Sequence, residues 1–89
     1  MQTREITINN KLGLHARAAA KLVAVANSYS AEVTLEKQGQ RVNGKSIMGV
    51  MMLAASKGVE LELEIDGSDE QECRAAIVDL INSRFGESE

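Results

Sequence analysis

Apolar and polar residues alternate with period two along Val59-Glu60-Leu61-Glu62-Leu63-Glu64-Ile65, placing three glutamates on one face and apolar side chains on the other. That period predicts a β-strand with one buried and one wetted face. Ile6 and Ile8 repeat it beside Glu5 and Thr7, and Val33 and Leu35 do so between Glu32, Thr34 and Glu36. A short strand around Arg41 to Asn43 follows the turn Gln38-Gly39-Gln40, so the segments on either side of that turn form a hairpin. Elsewhere the period is 3.6. From Ala16 to about Asn27, residues Ala19, Leu22, Val23 and Ala26 line one helical face. A short helix runs from Ile47 to about Ala55, with Ser46 as its N-cap and Ile47, Val50 and Ala54 turned inward. A last helix begins at the capping-box sequence Ser68-Asp69-Glu70-Gln71 and buries Cys73, Ala76, Ile77, Leu80 and Ile81. The order is βαββαβα. It predicts an α+β domain with helices on one face of an antiparallel sheet.

Composition narrows what such a domain does. Residues 1–89 have the length of one domain, with 44% hydrophobic and 26% charged residues, close to globular averages. The longest uncharged and largely apolar run, Ile47 to Ala55, falls far short of the roughly 20 residues that a membrane-spanning helix needs. No basic and hydrophobic leader opens the chain, and a lone Cys73 forms no internal disulfide, so a cytoplasmic location is expected. Net charge is −3, unevenly spread: eight cationic side chains face three acids in residues 1–59, and two face ten in residues 60–89. The basic front suits a negatively charged ligand or partner. Nucleic acid is disfavoured, because aromatics are only 2% and offer no stacking platform.

The one histidine, His15, stands in Gly13-Leu14-His15-Ala16-Arg17, where a loop passes into the first helix. The first turn of a helix holds N–H groups without intrahelical partners and a partial positive charge, which together hold an anion. Arg17 adds a planar, permanently charged fork suited to phosphoryl oxygens. Spacing alone also allows His15 to be a surface or capping residue. No metal-ligand cluster is visible, and no cofactor is expected.

Two stretches, Asn10-Lys11-Leu12-Gly13-Leu14-His15-Ala16-Arg17 and Gly44-Lys45-Ser46-Ile47-Met48-Gly49-Val50-Met51-Met52-Leu53-Ala54, resemble the two signature regions of HPr. That family comprises the histidine phosphocarriers of the bacterial phosphoenolpyruvate phosphotransferase system. The resemblance spans essentially the whole chain. Leu12 and the ending Ile81-Asn82-Ser83-Arg84-Phe85 are similar to the nitrogen-related branch, NPr. The family fold is an open-faced β-sandwich with a four-stranded antiparallel sheet in the order 1-4-2-3 and three helices on one face. The resemblance implies a carrier that is not itself an enzyme. His15 would accept a phosphoryl group on Nδ1 from enzyme I and pass it to an enzyme IIA, while Arg17 stabilises the group. Many members carry Pro directly after the arginine; Ala18 stands here, so a slightly looser helix start is expected.

Ser46 has two readings: a helix cap, and a regulatory phosphorylation site for an HPr kinase/phosphorylase as in relatives with the similar Lys-Ser-Ile-Met-Gly-Val sequence. The resemblance also implies a docking face made of Leu14, Arg17, Lys21, Lys45, Ile47, Met48, Met51 and Met52. Exposed methionines suit successive partners, although at least one of the three is expected to fill the core. Cys73 reads as a small core residue, and a monomer is expected. Two other classes stay open: a regulatory binding module of the same fold, and a domain in which His15 and Arg17 hold an anion without covalent change.

Overall fold

The computed structural model describes residues 1–88. Its elements run β1 (Gln2–Thr7), α1 (Ala16–Asn27), β2 (Glu32–Lys37), β3 (Gln40–Asn43), α2 (Ile47–Met52), β4 (Glu60–Asp66) and α3 (Glu70–Asn82), followed by a 3-10 turn, Arg84–Gly86. The four strands form one antiparallel sheet in the order β1-β4-β2-β3. Registers Ile6↔Leu61, Leu63↔Leu35 and Ile65↔Val33 align the apolar sets of three strands on one face. A slip of one residue would turn each set toward water, so burial itself sets the register.

All three α-helices cover that face. α1 contributes Ala18, Ala19, Leu22, Val23 and Ala26, α2 contributes Val50, and α3 contributes Cys73, Ile77 and Ile81. Phe85, fully buried after the end of α3, completes the core. Burial in this core pushes the Cys73 thiol upward in pKa, which keeps it protonated and unreactive.

On the open face Glu5, Glu62 and Glu36 stand opposite one another across three strands. Glu36, Glu62 and Glu64 are the one triad of carboxylates close enough for a shared ion among the described residues. Arg41 answers their charge, donating to Glu64 at 2.6 and 3.1 Å and to Glu36 at 2.9 Å. The arginine holds Glu64 below the usual carboxylate range. Partial burial, with its acidic neighbours, pushes Glu62 up.

Three local expectations are corrected. α2 stops at Met52; Val50 and Leu53 are the residues it turns inward, whereas Ile47 and Ala54 are exposed. Met48, Met51 and Met52 are all exposed, so none fills the core. The expected capping box is absent. Asp69 takes the N-cap position of α3 without capping it, and its carboxylate accepts instead from the backbone N–H groups of Ser30 at 2.8 Å and Ala31 at 2.9 Å. These bonds hold Asp69 below the usual carboxylate range. Glu70 meanwhile accepts from the Gly67 N–H at 3.1 Å. A distant loop with unsatisfied N–H groups offers this carboxylate more than its own helix does.

Candidate functional site

The loop between β1 and α1 is laid against the loop between α2 and β4. Ile8 and Val59 pair at 3.0 Å, the Gly58 N–H donates to Ile8 at 2.7 Å, and the Leu14 N–H donates to the Ala55 carbonyl at 2.8 Å. Gly13 makes this approach possible. Its φ is +68°, and a Cβ there would lie 2.4 Å from the Ala55 carbonyl oxygen. Asn10, fully buried, braces the turn by donating to the Gly13 carbonyl at 2.8 Å.

This framework delivers His15 to the mouth of α1. It occupies the N-cap position with extended backbone (φ −72°, ψ 177°), and its carbonyl accepts the Ala19 N–H at 2.8 Å. The imidazole does not cap the helix. The N–H groups of Ala16, Arg17 and Ala18 precede that first intrahelical bond and have no acceptor within the helix. The side chain of His15 is 27% exposed, which leaves the ring within reach of another protein.

A residue with no signal in the hydrophobic pattern completes the site. Glu87 places one carboxylate oxygen 2.6 Å from His15 Nε2 and accepts with the other from Asn10 Nδ2 at 3.0 Å. The hydrogen bond from Asn10, then that from His15, holds Glu87 below the usual carboxylate range. Three consecutive left-handed residues, Arg84 (φ 57°), Phe85 (φ 57°) and Gly86 (φ 77°), bend the chain after α3 back toward α1. Two of them are not glycine, a conformation that tertiary packing must hold in place. Periodicity cannot foresee such a turn.

Lys11, Leu12, His15, Ala16, Arg17, Glu87 and Ser88 line a concavity of about 620 Å³. Arg17 is exposed and makes no ion pair among the described residues, so its guanidinium is available to an incoming anion. The expected docking residues divide. Ile47, Met48, Met51 and Met52 are exposed together with Leu12, and Met48 reaches 76%. Leu14 is a correction: at 5% exposure it packs in the core, because its backbone is pinned to Ala55. Lys21 and Lys45 are present at the surface but engaged, donating to the carbonyls of Phe85 at 2.6 Å and Tyr29 at 2.8 Å. Ser46 caps α2, accepting the Gly49 N–H at 3.1 Å.

The fold is thus an α+β domain with a partly exposed histidine at a helix mouth and an exposed arginine two residues on. Residues 2–83 match the family described as PTS HPr component phosphorylation site. The chain is 56% identical to phosphocarrier protein HPr of Neisseria meningitidis over 89 residues, covering all of both chains. The crystal structure of HPr-C-His from Thermoanaerobacter tengcongensis superposes with a TM-score of 0.97 at 47% identity, again over the whole of each chain. An HPr dimer structure from the same organism covers 98% of this chain and all of its own, at TM-score 0.79 and 48% identity. The chain belongs to the HPr family. It is a phosphocarrier of the phosphotransferase system, carrying phosphohistidine, and not an enzyme. Among the described residues no helix is long and apolar enough to cross a membrane.

Proposed function

We propose that His15 is the phosphoryl acceptor, taking the group on Nδ1 from phosphorylated enzyme I and passing it to an enzyme IIA. The observation that carries this is the placement of a partly exposed His15 and an exposed Arg17 in one concavity at the mouth of α1. As Nδ1 attacks phosphorus, the bond to the donor breaks, and the equatorial oxygens carry the developing charge. Arg17 and the unpaired N–H groups of the first turn of α1 meet that charge. The same contacts serve both directions of transfer, which a carrier requires.

The exposed Ile47, Met48, Met51 and Met52 form the surface on which enzyme I and the enzyme IIA dock in turn, with Lys21 and Lys45 at its margin. Leu12 and the Ile81-Asn82-Ser83-Arg84-Phe85 ending support assignment of the acceptor to the nitrogen-related branch. Phosphorylation of Ser46 by an HPr kinase/phosphorylase would bring about −1.5 to −2 charges onto this face and oppose docking. The working form is a monomer; the dimer of the Thermoanaerobacter relative makes sedimentation the direct check.

Incubation with enzyme I, phosphoenolpyruvate and magnesium tests the reading. The intact mass should rise by one phosphoryl group, in an acid-labile form that His15→Ala lacks. Arg17→Ala should retain its melting temperature and slow transfer on the order of a hundredfold. An acid-stable gain, or none, removes the proposal; a nitrogen-type enzyme IIA that fails to discharge the phosphoprotein removes the branch assignment.

A further inference from the structure

The phosphoryl chemistry requires one ring nitrogen of His15 with a free lone pair, and an imidazole in solution exchanges its proton between two. The fold constrains both ends of that choice. Glu87 lies 2.6 Å from Nε2, and a carboxylate is an acceptor only, so the contact demands a proton on Nε2. Asn10 in turn holds the second oxygen of Glu87 at 3.0 Å while its amide also donates to the Gly13 carbonyl at 2.8 Å. The buried amide thus ties the carboxylate to the same turn that presents His15. The chain carrying Glu87 is itself anchored. Phe85 is fully buried, its carbonyl accepts from Lys21 at 2.6 Å, and a left-handed Gly86 separates it from Glu87.

We infer that Glu87 is a positioning residue for phosphoryl transfer: its carboxylate, oriented by Asn10, holds the His15 ring with the proton on Nε2 and the Nδ1 lone pair outward for phosphorus. The inference rests on the assignment of His15 as acceptor. Glu87 forms no bond to the phosphoryl group. When Nδ1 becomes phosphorylated the ring acquires positive charge, and the carboxylate already on Nε2–H faces that charge without any rearrangement. The carboxylate adjoins Nε2, the ring nitrogen opposite the one that receives phosphate, and Lys11 and Arg17 line the same concavity. An acid placed beside Nδ1 would instead repel the incoming group.

Two measurements on the full chain separate this inference from the acceptor assignment. Long-range proton–nitrogen correlation spectra of the His15 ring at alkaline pH report the tautomer without any phosphoryl donor. The native protein should show Nε2 protonated and Nδ1 unprotonated, and Glu87→Ala should move the two nitrogen resonances toward each other as both tautomers become populated. The rate of phosphoryl gain from phosphorylated enzyme I should fall about fivefold in Glu87→Ala, the effect of one net hydrogen bond. The final extent of phosphorylation should stay at one group per chain. Glu87→Asp, which keeps the carboxylate on a shorter stem, should recover part of both effects. A native ring protonated on Nδ1 overturns the inference. So does a Glu87→Ala protein with native nitrogen shifts, or one whose shifts change while its transfer rate does not. Failure of the native protein to accept phosphate would strike the acceptor assignment and leave the tautomer spectra standing.

Discussion

The ammonium of Lys21 donates a 2.6 Å hydrogen bond to the carbonyl of Phe85, joining the second turn of α1 to a bend 64 residues further along the chain. The bond satisfies a carbonyl left over where α3 has ended and the backbone has turned left-handed. It also removes from free solution one of the cations expected to steer partners. Lys21→Met keeps the apolar stem and deletes the donor. Amide hydrogen exchange should then accelerate across residues 84–88 and stay native in the sheet, with little change in melting temperature. Unchanged protection in this segment would mean that burial of Phe85 alone anchors it.

Gly13 carries the close contact between the two loops of the site. An alanine there meets the Ala55 carbonyl oxygen at 2.4 Å and must also adopt a φ of +68°. Gly13→Ala should cost about 2 kcal/mol or more of unfolding free energy, the sum of strain and displaced backbone. Urea denaturation measures this directly. A neutral result would show that the loops part without penalty.

Ser46 separates a structural role from an electrostatic one. Ser46→Ala removes the acceptor for the Gly49 N–H and should cost about 1 kcal/mol. Ser46→Asp restores a good cap while adding charge beside Met48 and Lys45, so its stability should be near native and its affinity for enzyme I lower. Titration calorimetry with enzyme I alongside thermal melts distinguishes the two. Equal affinity in the native protein and in Ser46→Asp would leave this serine with capping alone.

Asp69 makes the fold sensitive to acid. Its carboxylate lies below its ordinary value of 3.8 because it accepts from the Ser30 and Ala31 backbone, so the folded state binds its proton more weakly than the unfolded chain. The stability it contributes is therefore complete above 3.8 and disappears as pH falls through the lower folded value. Asp69→Asn should lower the melting temperature near neutrality and narrow its gap to the native protein in the acid range. A gap of constant size across that range would show that the charge is irrelevant.

Period-two alternation was enough to place β4 and the apolar sets of β1 and β2, because burying one face of a sheet permits only one register. α1 was legible for a similar reason: its alanines and Leu22 leave one face able to meet the sheet closely. Short α2 was harder. With only six residues it shows less than two turns of pattern, so Ile47 and Ala54 could not be told from inward positions. Asp69 looked like part of a capping box because sequence shows only neighbours, whereas the N–H groups of Ser30 and Ala31 arrive from elsewhere in the fold.

The chain by itself determined the strand and helix order, the basic first half, and the local pairing of His15 with Arg17 two residues away. These follow from periodicity and proximity, which a linear reading contains. Tertiary structure decided that Leu14 faces the core, that Lys21 and Lys45 are tied to carbonyls, and that Glu87 meets His15. Each of those depends on a backbone turned by long-range packing, above all the left-handed bend at Arg84 to Gly86, and no local pattern encodes where such a bend delivers its next side chain.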